Sequence, residues 1–290
     1  MPVPADAGAP HGGRAFLGVE RSLTGRHWVS RLDEAETRVA TTIAQRHALP
    51  DIVARVLAGR GVASDDVPHF LEPALKRLMP DPSVLTDMDA AAARIADAVV
   101  AGEKMAVFGD YDVDGATSAA LFARYMHAVG REPLIYIPDR IFEGYGPNSE
   151  AMRQLAGQGV RLVVCVDCGS TSHQALADGR AAGLDVVVVD HHQLGAELPP
   201  AVAVVNPNRQ DDLSGLGHLA AVGVTFLTLV AVNRVLRARG WFAGRAEPEL
   251  LQWLDLVALG TVCDVVPLVG LNRAFVAKGL LAMGRRANRG

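Results

Sequence analysis

Cysteine is scarce in this sequence, with three residues in 290. Three thiols cannot build a disulfide framework, so a stapled secreted scaffold is excluded and a reducing compartment is indicated. Basic residues are not in excess either: 28 Lys and Arg stand against 32 Asp and Glu, a net charge of −4. A general cationic coat for nucleic acid is therefore excluded, which leaves room only for a local groove. Aromatic residues are 5% of the chain, so stacking platforms are few. Long apolar runs are lacking. The most apolar stretch, 219–232, contains Thr225 and Thr228 and falls short of the roughly 20 residues a membrane span needs, so it predicts a buried helix. The opening MPVPADAGAPHGGR has no apolar core of a secretory signal. A soluble, cytoplasmic chain with no membrane partner is expected.

What is present is a globular composition. Half of the residues are hydrophobic and 21% are charged, enough for one or two domains with a sizeable core. Residues 1–15, rich in Pro, Gly and Ala, predict disorder. From about 34 to 80 the apolar spacing is helical, with Leu49, Ile52, Val53, Val56 and Leu57 three to four apart and prolines at 68, 73, 80 and 82 limiting later helices. From about 88 the pattern changes. A helix-like segment to Gly102 precedes short apolar, β-branched runs at 105–108, 134–137, 162–166, 186–189 and 202–205, with helical stretches interspersed. Such runs predict strands buried on both faces of a mostly parallel sheet flanked by helices, an α/β fold built of βαβ units. After 215 the pattern is helical.

The acidic residues fall at strand ends. Asp110, Asp112 and Asp114 follow the first strand, Asp167 the third, and Asp190, His191 and His192 the fourth. The carboxyl ends of parallel strands share one edge, where ligands bind. Five carboxylates gathered there repel one another unless cations are present, so a divalent metal site is expected. A single Asp in such a turn reads as a helix cap; three at alternate positions plus Asp-His-His do not. An EF-hand requires Glu at position 12 of its loop, and counting from Asp110 that position is Leu121. Oxygen and imidazole donors favour manganese or magnesium over zinc. Cys165 and Cys168 form a C-x-x-C without a second pair and read as buried thiols, as does Cys263.

These segments resemble the DHH phosphoesterase superfamily, named for the signature found here as Asp190-His191-His192. Within it the chain looks like the RecJ-type single-strand-specific 5′→3′ DNA exonucleases. The resemblance rests on FGDYDVDGATSAAL, DRIFEGYGPN, VVCVDCGSTS, VVVVDHHQLG, VVNPNRQDD and LDLVALGTVCDVVPLVGLNR, and extends over about residues 20–285. It implies Asp112, Asp114, Asp167, His191 and Asp264 as ligands of two Mn²⁺ or Mg²⁺ ions, with Asp167 bridging, and Asp110, Asp190 and His192 as catalytic or supporting groups. A ligand His that some members carry four residues before the second motif Asp is replaced by Phe108. Two ions about 3.5–4 Å apart would clamp the attacking and leaving oxygens of an in-line displacement, and His192 would stabilise charge or protonate the leaving 3′-oxygen.

Substrate contacts are expected from Arg140, Tyr145, Asn148 and Ser149, in a loop whose Gly144, Gly146 and Pro147 read equally as a plain turn, and from Arg209 and His218. A lone His on an apolar helix otherwise reads as a core residue. The expected organisation is an N-terminal helical region over 1–85, a DHH domain over 86–270 and the start of a connecting helix over 271–290. The resemblance places a DHHA1-type domain and an oligonucleotide-binding barrel beyond it. It implies single-stranded DNA as partner, with a helicase and a single-strand-binding protein, in DNA repair and recombination. Other superfamily activities, on oligoribonucleotides, cyclic dinucleotides or pyrophosphate, and a non-enzymatic scaffold are the competing readings. The N-terminal region and the DRIFEGYGPN loop favour the nuclease, and the intact motif acids favour chemistry.

Overall fold

The computed structural model describes residues 15–288. The expected disorder at the start, Ala15 apart, lies outside the described residues. Two compact units meet in the sequence at Glu72 and Pro73. That division precedes the expected boundary at 85 because Leu75, Leu78, Met79 and Leu85 pack on the core of the second unit.

The first unit contains α1 (Glu34–His47), α2 (Asp51–Ala58) and α3 (Val67–Leu71). Asp33 and Glu36 start α1 as a reciprocal capping box, satisfying two backbone donors that the first turn leaves free. Ala40, Ile43, Ala54, Leu57 and Val67 form its small core.

The second unit opens with α4 (Leu75–Leu78) and α5 (Met88–Ala101) and continues β1 (Met105–Gly109), α6 (Val113–Ala128), β2 (Leu134–Tyr136), α7 (Ser149–Gly157), β3 (Leu162–Val166), α8 (His173–Ala181), β4 (Asp185–Val189), β5 (Ala203–Val205), α9 (Ala221–Ala238), α10 (Leu254–Cys263) and α11 (Gly270–Gly284). The strands form one parallel sheet in the order β2-β1-β3-β4-β5. Side-chain alternation divides them between two layers. Met105, Val107, Val164 and Val187 join the core made with α5, α6 and α9, while Phe108, Cys165 and Val188 pack with α7 and α8. The parallel α/β architecture and all five strand positions agree with the sequence pattern.

Two features differ from expectation. β2 is an edge strand that packs chiefly on β1, and Ile135 is 57% exposed, whereas β5 at the other edge is buried against α5. The sequence pattern also gives no helix between the second and third strands, where α7 lies. Its nine residues give the apolar spacing of Ala151, Met152 and Leu155 little more than two turns in which to repeat. Helix α9 is long and apolar enough to cross a membrane by length and composition, but most of it is buried in the protein core.

Candidate metal centre

The turn after β1 starts the site. Asp112 accepts the Gly115 N–H at 2.9 Å and caps α6, so capping and site placement coincide at this residue. Gly115 is required by close approach: a Cβ there would lie 2.5 Å from the Asp110 carbonyl oxygen. Asp114 is buried, and its two oxygens accept the N–H groups of Ala221 at 2.6 Å and Val222 at 2.9 Å. Those N–H groups open α9, whose positive end holds the carboxylate.

Asp167 ends β3 in a left-handed conformation at φ 61°, and both of its carboxylate oxygens are buried without a hydrogen-bond partner. β4 delivers the Asp-His-His segment. The Nδ1 of His191 donates to the Leu219 carbonyl at 2.9 Å, which fixes the tautomer and leaves the Nε2 lone pair free. That Nε2 lies 3.4 Å from Asp167, 3.6 Å from Asp264 and 3.8 Å from Asp114. Asp264, which strand ends alone do not locate, reaches the site from the end of α10.

Three donor groups result: Asp110, Asp112 and Asp167; Asp114, His191 and Asp264; and Asp167, His191 and His192, each with ligand atoms within 4.8 Å of one another. Burial, reinforced by Asp114 and Asp112, pushes the Asp167 carboxyl up to about 10. Burial raises Asp114 to about 6 and lifts Asp110 and Asp264 as well. Buried atoms of Asp110, Asp167, His191 and Asp264 have no hydrogen-bond partner. A divalent cation satisfies those atoms and relieves the repulsion together, so the donor set fits a metal. The cysteines stand apart: Cys165 and Cys168 are fully buried, and the Cys168 thiol faces the Val166 and Phe108 carbonyls. Phe108 stacks on Tyr136 with centroids 5.0 Å apart and supplies no ligand. Cys263, expected to be packed, is exposed, because it ends α10 on the outer side.

Asp190 is a support. Its Oδ1 accepts the N–H groups of His191 at 2.7 Å and His192 at 3.2 Å and faces His192 Nδ1 at 2.8 Å, while Oδ2 accepts the Ser170 N–H at 3.2 Å. Burial pushes this carboxyl up, but the hydrogen bonds from His192 and Ser170 outweigh it and hold the group at about 2. The bond to Asp190 in turn raises the His192 imidazole. Asn206 and Asn208, at the end of β5, bind the carbonyls of His192 and His191. Sequence reasoning assigned them no role, although the strand-end rule covers them.

The expected substrate residues divide. Tyr145 is at the rim, its hydroxyl 3.2 Å from the Asp167 carbonyl and 3.3 Å from His192. Arg140 lies over the ring of Tyr111, 5.1 Å from its centroid, and Tyr111 meets Tyr145 edge to face. Tyr111 is a rim residue that sequence reasoning missed. Asn148 instead caps α7 by accepting the Ala151 N–H at 2.8 Å, and its amide faces Glu143. Ser149, the first residue of α7, pairs with Asp178. Arg209 is a correction with a clear cause: it is buried, and its guanidinium is consumed by Asp87, Asp211 and the Val204 carbonyl. His218 does not join the donor groups; its Nε2 faces Gly270, where burial lowers its basicity.

The sequence profile of the DHH family, N-terminal domain, matches residues 104–261. The chain belongs to the DHH family. Among DHH proteins it is similar to the single-stranded-DNA-specific exonuclease RecJ of Salmonella typhimurium, 41% identical over 235 residues, which are 80% of this chain and 40% of that protein. RecJ of Bacillus subtilis is 34% identical over 88% of this chain and 30% of its own length. A crystal structure of exonuclease RecJ bound to manganese matches with a TM-score of 0.60 and 37% identity, over 70% of this chain and 49% of that one. RecJ from Thermus thermophilus in complex with Mn²⁺ gives 0.66 and 31%, over 87% of this chain and 34% of its own. The chain thus spans about 40% of the length of the Salmonella protein.

Proposed function

We propose that this chain is the catalytic portion of a metal-dependent 5′→3′ exonuclease that hydrolyses phosphodiester bonds of single-stranded DNA, acting in DNA repair and recombination in the cytoplasm. The observation that carries the reading is the convergence of unpartnered buried atoms of Asp110, Asp167, His191 and Asp264 at one sheet edge. Similarity to RecJ exonucleases over 80% of the chain supports the substrate class.

Asp112, Asp114, Asp167, His191 and Asp264 would hold two Mn²⁺ or Mg²⁺ ions, with Asp167 shared because it belongs to the group of Asp110 and Asp112 and also faces His191. Ions bound there supply charge stabilisation at phosphate oxygens and a nucleophile near neutral pH. His192, whose basicity the bond to Asp190 raises, would give a proton to the leaving 3′-oxygen. Tyr145 and Arg140, backed by Tyr111, offer a stacking face and a cation to the strand. DHHA1-type and oligonucleotide-binding domains would complete the groove, and a helicase and a single-strand-binding protein would deliver substrate.

The test is turnover in Mn²⁺ of 5′-phosphorylated single-stranded DNA, a dinucleotide and pyrophosphate. Stepwise release of nucleotides from the 5′ end is expected. Preferred turnover of the dinucleotide or of pyrophosphate would assign the chain to another branch of the family.

A further inference from the structure

Two of the metal-facing groups are held by loops that are distant in sequence. His191 depends on the Leu219 carbonyl, which takes its Nδ1 proton. Asp264 stands at the head of the segment 264–269, where Val265 has φ 61°. A non-glycine, β-branched residue in that region does not hold its conformation unaided.

Asn272, early in α11, is fully buried and touches both loops. Its Nδ2 donates to the His218 carbonyl at 2.5 Å and to the Pro267 carbonyl at 3.1 Å. His218 directly precedes Leu219, and Pro267 lies three residues beyond Asp264. The two carbonyl acceptors fix which edge of the amide faces the loops, since an oxygen there would meet two oxygens. The other edge is poorly served, for Oδ1 is buried without a partner. A side chain kept only to fill the core would not need a buried, unsatisfied polar atom.

We infer that Asn272 is a positioning residue of the metal centre: one amide ties the loop that supports His191 to the loop that carries Asp264, and so sets the spacing of the second donor group. His191 Nε2 and Asp264 are 3.6 Å apart; a shift of either loop changes that spacing before it changes the sheet. The inference rests on the metal-site reading above.

The experiment is Mn²⁺ binding to the full chain by calorimetry, with melting in chelator measured in parallel. Wild type is expected to bind. Asn272→Ala should weaken binding about 10- to 100-fold, the usual effect of losing an outer support of a ligand. Asn233→Ala is the matched control. It also removes a buried amide, one bonded to Tyr125 and Glu247 away from the donor groups. It should lower the melting temperature in chelator and leave Mn²⁺ affinity at the wild-type value. Should Asn272→Ala not fold, Asn272→Leu keeps about the same branched shape, loses the donors without burying a charge and reads the same interaction. Wild-type affinity in a folded Asn272 variant, or equal weakening by Asn233→Ala, overturns the inference. Absence of Mn²⁺ binding by the wild-type chain instead overturns the metal-site reading itself.

Discussion

His191 Nε2 and an Asp167 carboxylate oxygen face each other across 3.4 Å, and neither atom has a hydrogen-bond partner. The imidazole cannot turn away, because its Nδ1 is bound to Leu219. The carboxylate sits at a left-handed backbone position fixed by the end of β3. Two buried, immobile donors aimed at one space make an arrangement that is costly when empty and favourable around a cation.

Without metal, stability should fall as pH rises. The folded-state carboxyls of Asp114, at about 6, and Asp167, at about 10, lie above the unfolded value of about 3.9. Such groups stabilise the fold fully below about pH 4 and lose that contribution as pH passes through their folded values. Melting in chelator from about pH 5 to 9 should show the decline, and saturating Mn²⁺ should flatten it. A flat profile in chelator would show that these acids are not strained.

Asp167→Asn should separate fold from function. Asparagine tolerates positive φ and removes a charge from a crowded site. The variant should melt higher than wild type in chelator, lose the Mn²⁺-dependent gain, which is about 2.7 kcal/mol at 100 times Kd, and lose cleavage. Retained Mn²⁺ stabilisation would refute a shared-ligand role.

Asp190→Asn should lower the His192 pKa, because the bond to Asp190 is what raises it. Imidazolium would then be lost at lower pH, and the alkaline limb of the cleavage profile should move to lower pH. The relative loss of rate should be larger at about pH 8 than at about pH 6. An equal loss at both would show that His192 is not the proton donor.

Gly260→Ala should disturb the site from behind. The added Cβ would collide with Thr117 and lie 2.9 Å from an Asp114 oxygen. Overpacking of this kind costs about 1–3 kcal/mol. Both the melting temperature in chelator and Mn²⁺ affinity should drop.

Arg209→Met tests the reassignment of that residue. Removing the buried guanidinium leaves the Val204 carbonyl without its donor, while Asp87 and Asp211 stay solvent-accessible, so the fold should lose about 1–3 kcal/mol. KM for single-stranded DNA, measured well below the melting temperature, should stay at the wild-type value. A large rise in KM would return Arg209 to the substrate groove.

Local pattern was enough to read the sheet and most of the centre. Short β-branched runs read as parallel strands, and a parallel sheet collects its carboxyl ends, so Asp110, Asp112, Asp114, Asp167 and the Asp190–His192 segment were legible as one site. That inference uses only residue order and one topological rule. Whatever depends on helices packed from afar had to wait for the folded chain. Asp264 was reached through family resemblance and not through pattern, since it enters only because Gly260 lets α10 lie close against Thr117 and Asp114. Arg209 looked like a free cation until folding placed Asp87 beside it, and Asn148 and Ser149 looked like loop residues until α7 formed on them. The support of His191 by Leu219 and the bridging amide of Asn272 use backbone carbonyls, which carry no residue identity and so leave no mark in a sequence.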